Sequence, residues 1–439
     1  MVWKTLNSLP LQGNHFFSFF CLLTILTLSG CAAPDSYPLM PAPVVYQNST
    51  IDPFAHLSDA EKTTSMPIFF ATTREPQASS TAAPYGNTPG DKLRLGQVMM
   101  RLGDESMDWE DLYRASTNPE YNNTIELYLE STEEIAILEE TDQNDESEPL
   151  PAGLQQFADR INTRLTQIED KEIILYVHGA KSWFLSSVAL TAEIEHFAGR
   201  DFVGVAFSWP SHQDILNYLD GTDVERAQHS TGYLGTLISF LAKNTSAKSI
   251  NIICYSAGGK VVSRALHEMR LQNPLLTSNQ LQNKFKLGTV LFAAADVSVD
   301  RFLERLPDIS EMAQRVVVTV SDGDQALYSA SVVMGEGKRI GMKTAEREEE
   351  DFAVNKKINN LEIVDVSFGQ EVRGFDITGH HYWHRHPWAS SDIIILLRTD
   401  LPAEHRGLSS SDAEEFWYLS EDYPAQVRNA VKQKLENQW

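Results

Sequence analysis

Six unbroken runs of apolar residues limit the folds that are open to this chain. The runs begin near residues 172, 202, 249, 289, 315 and 362 and have the sequences EIILYV, FVGVAF, SINIIC, TVLFAA, RVVVTV and EIVDV. A strand that is apolar at every position is typical of a parallel sheet, because such a sheet is covered on both faces. The stretches between the runs show helical spacing of apolar residues, as in 257–270. Alternating strands and helices predict an α/β fold with a mostly parallel central sheet flanked by helices.

Shorter apolar segments precede this pattern. Strands are predicted at 67–74, 95–102 and 124–130, where apolar and polar residues partly alternate. These segments predict an N-terminal β extension of the sheet. Residues 130–148 contain nine Asp or Glu residues and no Lys or Arg. We expect this acidic run to form a solvated insertion near 130–150.

The N-terminus has the features of a targeting signal. Lys4 precedes an apolar run of 13 residues at 16–28, which is too short to span a bilayer that needs about 20. Residues 1–30 therefore predict a signal peptide. The run ends in LSGC at 28–31, which resembles the lipobox of bacterial lipoproteins; the alternative is a chance tetrapeptide after an ordinary signal.

The lipobox resemblance implies cleavage before Cys31 and acylation of its thiol. Ala32 follows, and an Asp there would have resembled the inner-membrane retention signal, so the resemblance favours the outer membrane facing the periplasm. Residues 32–65 are rich in Pro, Ser and Ala, a composition typical of a linker. We therefore expect segment 31–65 to consist of the lipidated Cys31 and a flexible tether. The expected location is the bacterial cell envelope, with a membrane contact through the lipid anchor.

Composition excludes two kinds of site. The formal net charge of −24 argues against nucleic-acid binding, because phosphate recognition needs a basic surface. The chain has three cysteines; Cys21 lies in the signal and Cys31 would carry lipid, which leaves Cys254. A structural metal site built from cysteines is therefore excluded, and a disulfide between Cys31 and Cys254 is not expected.

Polar residues follow each of the six strands, where parallel sheets gather their chemistry. The segments are HGAKS at 178–182, SWPS at 208–211, YSAGG at 255–259, ADVSVD at 295–300, SDGDQAL at 321–327 and GHHYWH at 379–384. Ser256 lies between a buried strand and an amphipathic helix, which is the context of the G-x-S-x-G nucleophile elbow of α/β-hydrolases. Cys254 replaces the first glycine and Gly258 retains the second. The alternative is an ordinary turn that contains a serine.

A serine nucleophile needs a histidine base and a carboxylate that orients it. Hydrolases of this fold have the order Ser, acid, His, and Ser256, Asp324 and His380 follow it. Asp296, Asp300 and Asp322 are rival acids, each of which could instead cap a turn or a helix.

The cluster of histidines near residue 380 allows an alternative interpretation, a metal site. His380 and His384 are four residues apart and would share a helix face in a metal site, together with the neighbouring His381 and His386. No Glu lies between them, and Gly379 and Pro387 interrupt any long helix, so we expect no metal. His178 comes too early in the chain to be the base, and we expect it to shape the turn after the first strand.

Acyl transfer also needs hydrogen-bond donors for the developing oxyanion. The backbone N–H of Ala257 is one expected donor, because it follows the nucleophile. The other is expected in the loop after the first strand, from Ala180 or Lys181.

Taken together, these segments resemble a bacterial family of α/β-hydrolases of the domain-of-unknown-function 900 type, in the esterase/lipase superfamily. The resemblance covers about residues 66–400. It rests on FFATTR at 69–74, YVHGA at 176–180, FSWPS at 207–211, Tyr218 and Asp220, CYSAGG at 254–259, AADVSVDRF at 294–302, DQAL at 324–327, RIG at 339–341 and GHHYW at 379–383.

The resemblance implies Ser256 as nucleophile, Asp324 as acid and His380 as base, with no metal or organic cofactor. The chain departs from the family pattern at Cys254, where Gly or Ala is more usual, and at Tyr255, where His is frequent. The implied α/β-hydrolase domain covers 66–400. The last residues, 401–439, predict a C-terminal helical extension, with a loop and a helix packed outside the sheet.

The expected activity is that of a serine hydrolase acting on carboxylic esters, with acyl lipids as one candidate class, through an acyl-enzyme. An acyltransferase or a thioesterase could use the same triad. A non-catalytic envelope protein that uses the hydrolase fold as an interaction platform is the third alternative.

Overall fold

The structure is a computed structural model, and it describes residues 33–49, 51–77, 83–118, 120–121, 123–139, 149–334, 337–343, 358–367, 379–410 and 416–435. Strands in these residues form one twelve-stranded sheet. They are β1 (Tyr37–Pro38), β2 (Ser65–Pro76), β3 (Tyr85–Leu102), β4 (Glu126–Leu138), β5 (Glu172–Val177), β6 (Val203–Ser208), β7 (Ser249–Tyr255), β8 (Leu287–Ala293), β9 (Arg315–Val320), β10 (Leu361–Asp365), β11 (Ser409–Ser410) and β12 (Trp417–Tyr418).

The strand order across the sheet is β1-β4-β3-β2-β6-β5-β7-β8-β9-β10-β12-β11. Every pair from β2 through β6, β5, β7, β8, β9 and β10 to β12 is parallel. The N-terminal strands β1, β4, β3 and β2 pair antiparallel. The sheet therefore has the predicted mostly parallel centre and N-terminal β extension, and all six apolar runs are strands.

Helices cover both faces of the sheet. In chain order they are α1 (Trp109–Thr117), α2 (Ala152–Gln167), α3 (Phe184–Phe197), α4 (Ile215–Leu219), α5 (Thr222–Asn244), α6 (Gly258–Leu271), α7 (Ser278–Phe285), α8 (Val299–Met312), α9 (Gln325–Met334), α10 (Tyr382–Arg385), α11 (Pro387–Arg398) and α12 (Tyr423–Leu435), with 3-10 turns at Val44–Ser49 and Ala403–His405.

Side chains of the central strands alternate between two cores, because successive residues of a strand point to opposite faces. In β5, Ile173 and Leu175 pack with α2, α5, α6 and α8, whereas Ile174 and Tyr176 pack with the end of α3 and with α11 and α12. A third core joins α1 and the start of α3 to the antiparallel strands. Two covered faces explain why the strands are apolar at every position.

The acidic run was expected to be a solvated insertion. Its first part, up to Leu138, belongs to β4 instead of an insertion, although Glu133 and Glu134 are exposed as expected. Glu133 and Glu134 lie in β4 and pair with Arg160 at 2.7 Å and with Arg94 at 3.0 Å. Arginines on neighbouring elements therefore balance the local charge, which the run itself could not reveal. Residues 140–148 lie outside the described residues.

The expected flexible tether over 31–65 also differs from the structure. Tyr37 pairs with Leu127 in β4, and Val45 and Tyr46 are buried against the helical layer. The Val45 N–H donates to Ser391 Oγ in α11 at 3.0 Å. Apolar residues among the prolines thus hold this segment on the domain, although its composition is typical of a linker.

The C-terminal extension contributes strands as well as the expected helix. β12 adds to the sheet beside β10, and β11 pairs with β12. Tyr423, Val427 and Val431 bury one side of α12. The extension therefore continues the sheet, where a loop and a helix outside it had been expected.

None of the helices in the described part of the chain is long and apolar enough to cross a membrane. The predicted signal peptide at 1–30 and the predicted lipidation site, Cys31, lie outside the described residues.

Candidate active site

Ser256 occupies a strained turn between β7 and α6. Its φ is +51°, in the left-handed region that non-glycine residues rarely adopt. Backbone hydrogen bonds hold it there: its N–H donates to the Ala293 carbonyl at 3.1 Å, and its carbonyl accepts from Gly259 at 3.0 Å and Asp296 at 2.9 Å. The turn therefore has the backbone geometry of a nucleophile elbow.

Two glycines allow the backbone to approach this turn. A Cβ on Gly258 would lie 2.7 Å from the His178 carbonyl oxygen, and closer still to that of Val177. A Cβ on Gly179 would lie 2.8 Å from the Ser256 Cβ. The start of α6 and the loop after β5 can therefore pack against each other only because both residues lack side chains.

Cys254 lies two residues before Ser256, and its side chain belongs to the hydrophobic core. Its thiol is buried in the core beneath α6 and lies 3.4 Å from the Leu291 carbonyl oxygen. Burial raises the pKa of this thiol well above its usual value, so the sulfur is not a competing nucleophile. The cysteine fills part of the wall behind the elbow and does not crowd it.

His380 links Ser256 to Asp324. Its Nε2 lies 2.8 Å from Ser256 Oγ, and its Nδ1 lies 2.7 Å from Asp324 Oδ2. The ionised carboxylate can only accept, so Nδ1 carries the proton and Nε2 is free to accept from the serine hydroxyl. Ser256 directly after β7, Asp324 after β9 and His380 just before α10 thus meet in one hydrogen-bonded chain.

The second oxygen of Asp324 is also bound. Oδ1 accepts from the Leu327 N–H at 3.0 Å, at the N-terminus of α9, where the helix dipole favours a negative charge. Gly379 has a φ of +59°, and a Cβ there would lie 2.5 Å from the Gly323 carbonyl oxygen. This close approach lets His380 reach the carboxylate.

The rival acids do not contact His380. Asp296 is buried and pairs with Arg339 at 2.8 Å, with Lys260 at 3.7 Å and with the hydroxyl of Tyr218. Asp300 and Asp322 are exposed, Asp300 in the first turn of α8 and Asp322 before α9. Asp324 is therefore the one of the four candidate acids that reaches the imidazole.

The other histidines near 380 have separate contacts. His381 Nδ1 lies 2.8 Å from the Tyr255 hydroxyl, and His386 caps α11 by accepting from the Trp388 N–H at 3.2 Å. His384 is buried among aromatic rings, and this burial lowers its pKa well below the usual value. In the described part of the chain, no three His, Cys, Asp or Glu side chains are placed to hold a metal ion.

Of the expected oxyanion donors, Ala257 directly follows Ser256, and Ala180 follows Gly179, which lies against Ser256. Ala257 is buried directly after it, and Ala180 is half-buried in the loop 178–182, which we call the oxyanion loop. His178 does shape this loop: its ring stacks on Trp209 at a centroid distance of 5.1 Å. The donor roles of the two alanines stay predictions.

Sequence reasoning missed two supporting residues. Tyr255 packs its ring against His380 at 5.0 Å, and Arg74 contacts His178 from the end of β2. The arginine lies 104 residues before His178, so no spacing signal connects them. The only available signal was the motif FFATTR, to which no role had been assigned.

Comparison with known protein families identifies the family to which the chain belongs. No curated protein matches the chain. Among solved structures, the chain is similar to a lipase-esterase related protein from Clostridium acetobutylicum, with 11% sequence identity and a TM-score of 0.23; the match covers 49% of this chain and 90% of that chain. The model of the family described as "Alpha/beta hydrolase of unknown function (DUF900)" matches residues 155–398, more than half of the chain. The protein therefore belongs to this family of α/β hydrolases.

Proposed function

We propose that the protein is a serine hydrolase that cleaves carboxylic esters through an acyl-enzyme. The observation that carries the proposal is the hydrogen-bonded chain from Ser256 through His380 to Asp324. The strained turn at Ser256 supports it, because such strain persists only where surrounding contacts impose it and is common at active sites. A non-catalytic platform would not require these three side chains to converge.

In the first step, Ser256 Oγ attacks the ester carbonyl while His380 Nε2 takes the hydroxyl proton. Asp324 stabilises the imidazolium that forms, and the N–H groups of Ala257 and Ala180 would stabilise the oxyanion. Collapse of the tetrahedral intermediate breaks the bond to the alcohol oxygen. The alcohol leaves with the proton from Nε2, and the acyl group remains on Ser256.

In the second step, His380 takes a proton from water, and the resulting hydroxide attacks the acyl-enzyme. The second tetrahedral intermediate collapses, the bond to Ser256 Oγ breaks, and the serine recovers its proton from Nε2. The carboxylic acid leaves and the triad returns to its starting protonation. Every proton transfer uses the one imidazole nitrogen that faces the serine.

Labelling with a fluorophosphonate tests this assignment. We expect the native protein to be labelled and Ser256→Ala to lose the label. Ser263→Ala is the matched control, because Ser263 lies on α6 two turns beyond Ser256, where its hydroxyl accepts from Arg305 at 3.1 Å. Equal labelling of Ser256→Ala and native protein would refute the nucleophile, and an unlabelled native protein would refute the hydrolase.

We further propose that the protein is lipid-anchored at Cys31 in the outer membrane and faces the periplasm. Support comes from the short apolar run, the LSGC tetrapeptide and Ala32. Mass spectrometry of membrane-extracted protein tests the anchor. We expect an acylated N-terminal Cys31, and an unmodified N-terminus at Ala32 or beyond would contradict it.

A further inference from the structure

Arg74 lies at the end of β2 with its side chain fully buried, and all five of its guanidinium N–H groups have acceptors. Nε donates to Ser208 Oγ at 2.9 Å. Nη1 donates to the Gly86 carbonyl at 3.1 Å and to Asn87 Oδ1 at 2.7 Å. Nη2 donates to the Ser182 carbonyl at 2.7 Å and to His178 Nε2 at 3.3 Å. None of these acceptors is a carboxylate.

A buried cation held only by neutral acceptors is costly, and burial lowers the pKa of Arg74 to about 9. The side chain is still charged at neutral pH. Its acceptors belong to β3, to the end of β6 and to both ends of the oxyanion loop. Arg74 therefore joins the oxyanion loop to two neighbouring strands.

The contact with His178 determines which ring nitrogen carries the proton. A guanidinium can only donate, so His178 Nε2 must be the accepting, unprotonated nitrogen. Nδ1 then carries the proton and donates to the Gly179 carbonyl at 2.7 Å. Burial, and after it the nearby Arg74 charge, lowers the pKa of His178 to about 3, so the ring is neutral at physiological pH.

This tautomer orients one peptide of the oxyanion loop. The Gly179 carbonyl points to the His178 ring, and a trans peptide places the following N–H on the opposite side. The Ala180 N–H therefore points away from His178. With the opposite tautomer, Nδ1 would have no proton to donate to the Gly179 carbonyl. The hydrogen bond that orients this peptide would then be lost.

The loop is constrained on both sides of this peptide. Gly179 lies against Ser256, where a Cβ would be only 2.8 Å from the serine Cβ. Lys181 has a φ of +55°, and the Ser182 carbonyl beyond it accepts from Arg74. Trp209 Nε1 also donates to the His178 carbonyl at 2.7 Å.

We propose that Arg74 is a positioning residue for the oxyanion donor. It sets the tautomer of His178, and that tautomer holds the Gly179–Ala180 peptide with its N–H available to the reacting carbonyl oxygen. The inference rests on the proposed hydrolase function, since it concerns the same site, but it assigns a role to a residue outside the triad.

The tautomer can be measured in the native protein. Nitrogen-15 NMR of histidine-labelled protein distinguishes protonated from unprotonated ring nitrogens, and His178→Asn identifies the signals. We expect a proton on Nδ1 and none on Nε2 across the neutral range. A proton on Nε2 would overturn the inference without any variant of Arg74.

Kinetics of Arg74→Lys test the consequence for catalysis. Lysine retains the charge but has three donors on one nitrogen, so it cannot reach both His178 and the strands. We expect kcat for a short ester to fall on the order of 10²-fold with KM little changed, as for a small misplacement of a catalytic group. The NMR signals of His178 should also shift towards the other tautomer.

Arg200→Lys is the matched control. Arg200 is also buried and also donates to a histidine, from Nε to His196 Nδ1 at 3.1 Å, but it lies after α3 away from the oxyanion loop. We expect this variant to lose thermal stability and to retain its kcat. If Arg74→Lys keeps the native kcat, or loses no more than Arg200→Lys, Arg74 is merely structural and the inference fails.

Failure of the proposed function has a different signature. In that case the native protein shows neither fluorophosphonate labelling nor ester hydrolysis. If the native protein is active and only the Arg74 predictions fail, the hydrolase assignment stands. If Arg74→Lys does not fold, the inference is tested by the NMR measurement of the His178 tautomer in the native protein.

Discussion

The ring of Tyr255 packs against the imidazole of His380 with their centroids 5.0 Å apart and their planes inclined by 37°. Tyr255 immediately precedes Ser256, so two consecutive residues present the hydroxyl of the proposed nucleophile and a ring that packs on the proposed base. The Tyr255 hydroxyl also lies 2.8 Å from His381 Nδ1. Tyr255 therefore contacts two consecutive histidines.

Tyr255→Phe and Tyr255→Leu separate these two contacts. We expect Tyr255→Phe to reduce kcat by less than about tenfold, because one neutral hydrogen bond contributes about 1 kcal/mol. Tyr255→Leu removes the ring beneath His380, and we expect a reduction of roughly 10- to 100-fold. Steady-state ester hydrolysis measures both, and equal values for the two variants would contradict a supporting role of the ring.

Asp324→Asn should reduce kcat on the order of 10⁴-fold with the fold intact. The asparagine oxygen can still accept from the Leu327 N–H, but its amide favours the His380 tautomer that cannot accept the serine proton. Circular dichroism checks the fold and ester hydrolysis checks the rate. Asp322→Asn, at the exposed acid two residues before, is the control and should retain native kcat.

Cys254→Gly should leave the fluorophosphonate labelling of Ser256 intact. The thiol packs in the core, so its removal costs about 1 to 2 kcal/mol in the free energy of unfolding without changing the turn. Urea unfolding and labelling are the measurements. A folded Cys254→Gly protein that cannot be labelled would show that the cysteine supports the turn itself.

Gly258→Ala should both destabilise the protein and abolish labelling. Its new methyl group would meet the carbonyl oxygens of Val177 and His178, which are backbone atoms, so α6 must shift away from β5 and move Ser256. We expect a cost of about 1 to 3 kcal/mol in unfolding free energy. Gly232→Ala on α5 is the control: its Cβ would meet no atom within 4 Å, and alanine should stabilise the helix by up to about 1 kcal/mol.

Glu193→Gln should change how stability depends on pH. Burial raises the pKa of Glu193 from 4.5 to about 8, partly offset by Arg385 and by the Met40 N–H, which donates to Oε2 at 2.8 Å. Between these two values the folded protein holds a proton that the unfolded chain has released. Its free energy of unfolding therefore falls as the pH rises, by at most about 1.4 kcal/mol per unit.

Glutamine cannot titrate, so Glu193→Gln should have a flatter stability curve. Its stability relative to the native protein should rise from about pH 4.5 and level off above about pH 8. Thermal unfolding from about pH 5 to about pH 9 measures this. Burial also raises the pKa of Glu195, to about 7. Its contribution to the pH dependence of stability is the same in both proteins, so it cancels when their curves are compared. Parallel curves would mean that Glu193 is already ionised in the folded protein.

The sequence alone determined the parallel centre of the sheet and the chain order of its polar segments. A strand buried on both faces must be apolar at every position, so β5, β7 and β9 were visible as runs. Ser256, Asp324 and His380 were candidates for the same reason, since each follows such a run. Their contact, in contrast, depended on how the segments after β7 and β9 meet the residues before α10.

Only the tertiary structure decided which acid reaches the imidazole and what supports the site. Asp296 and Asp324 both follow a strand, but Arg339 pairs with the first and His380 with the second. Arg74 and His178 are brought together by strand pairing across the sheet. Such contacts join residues that are far apart in the chain, and local composition carries no trace of them. The same reason explains the packed segment before β2, whose burial depends on its contacts with β4 and α11.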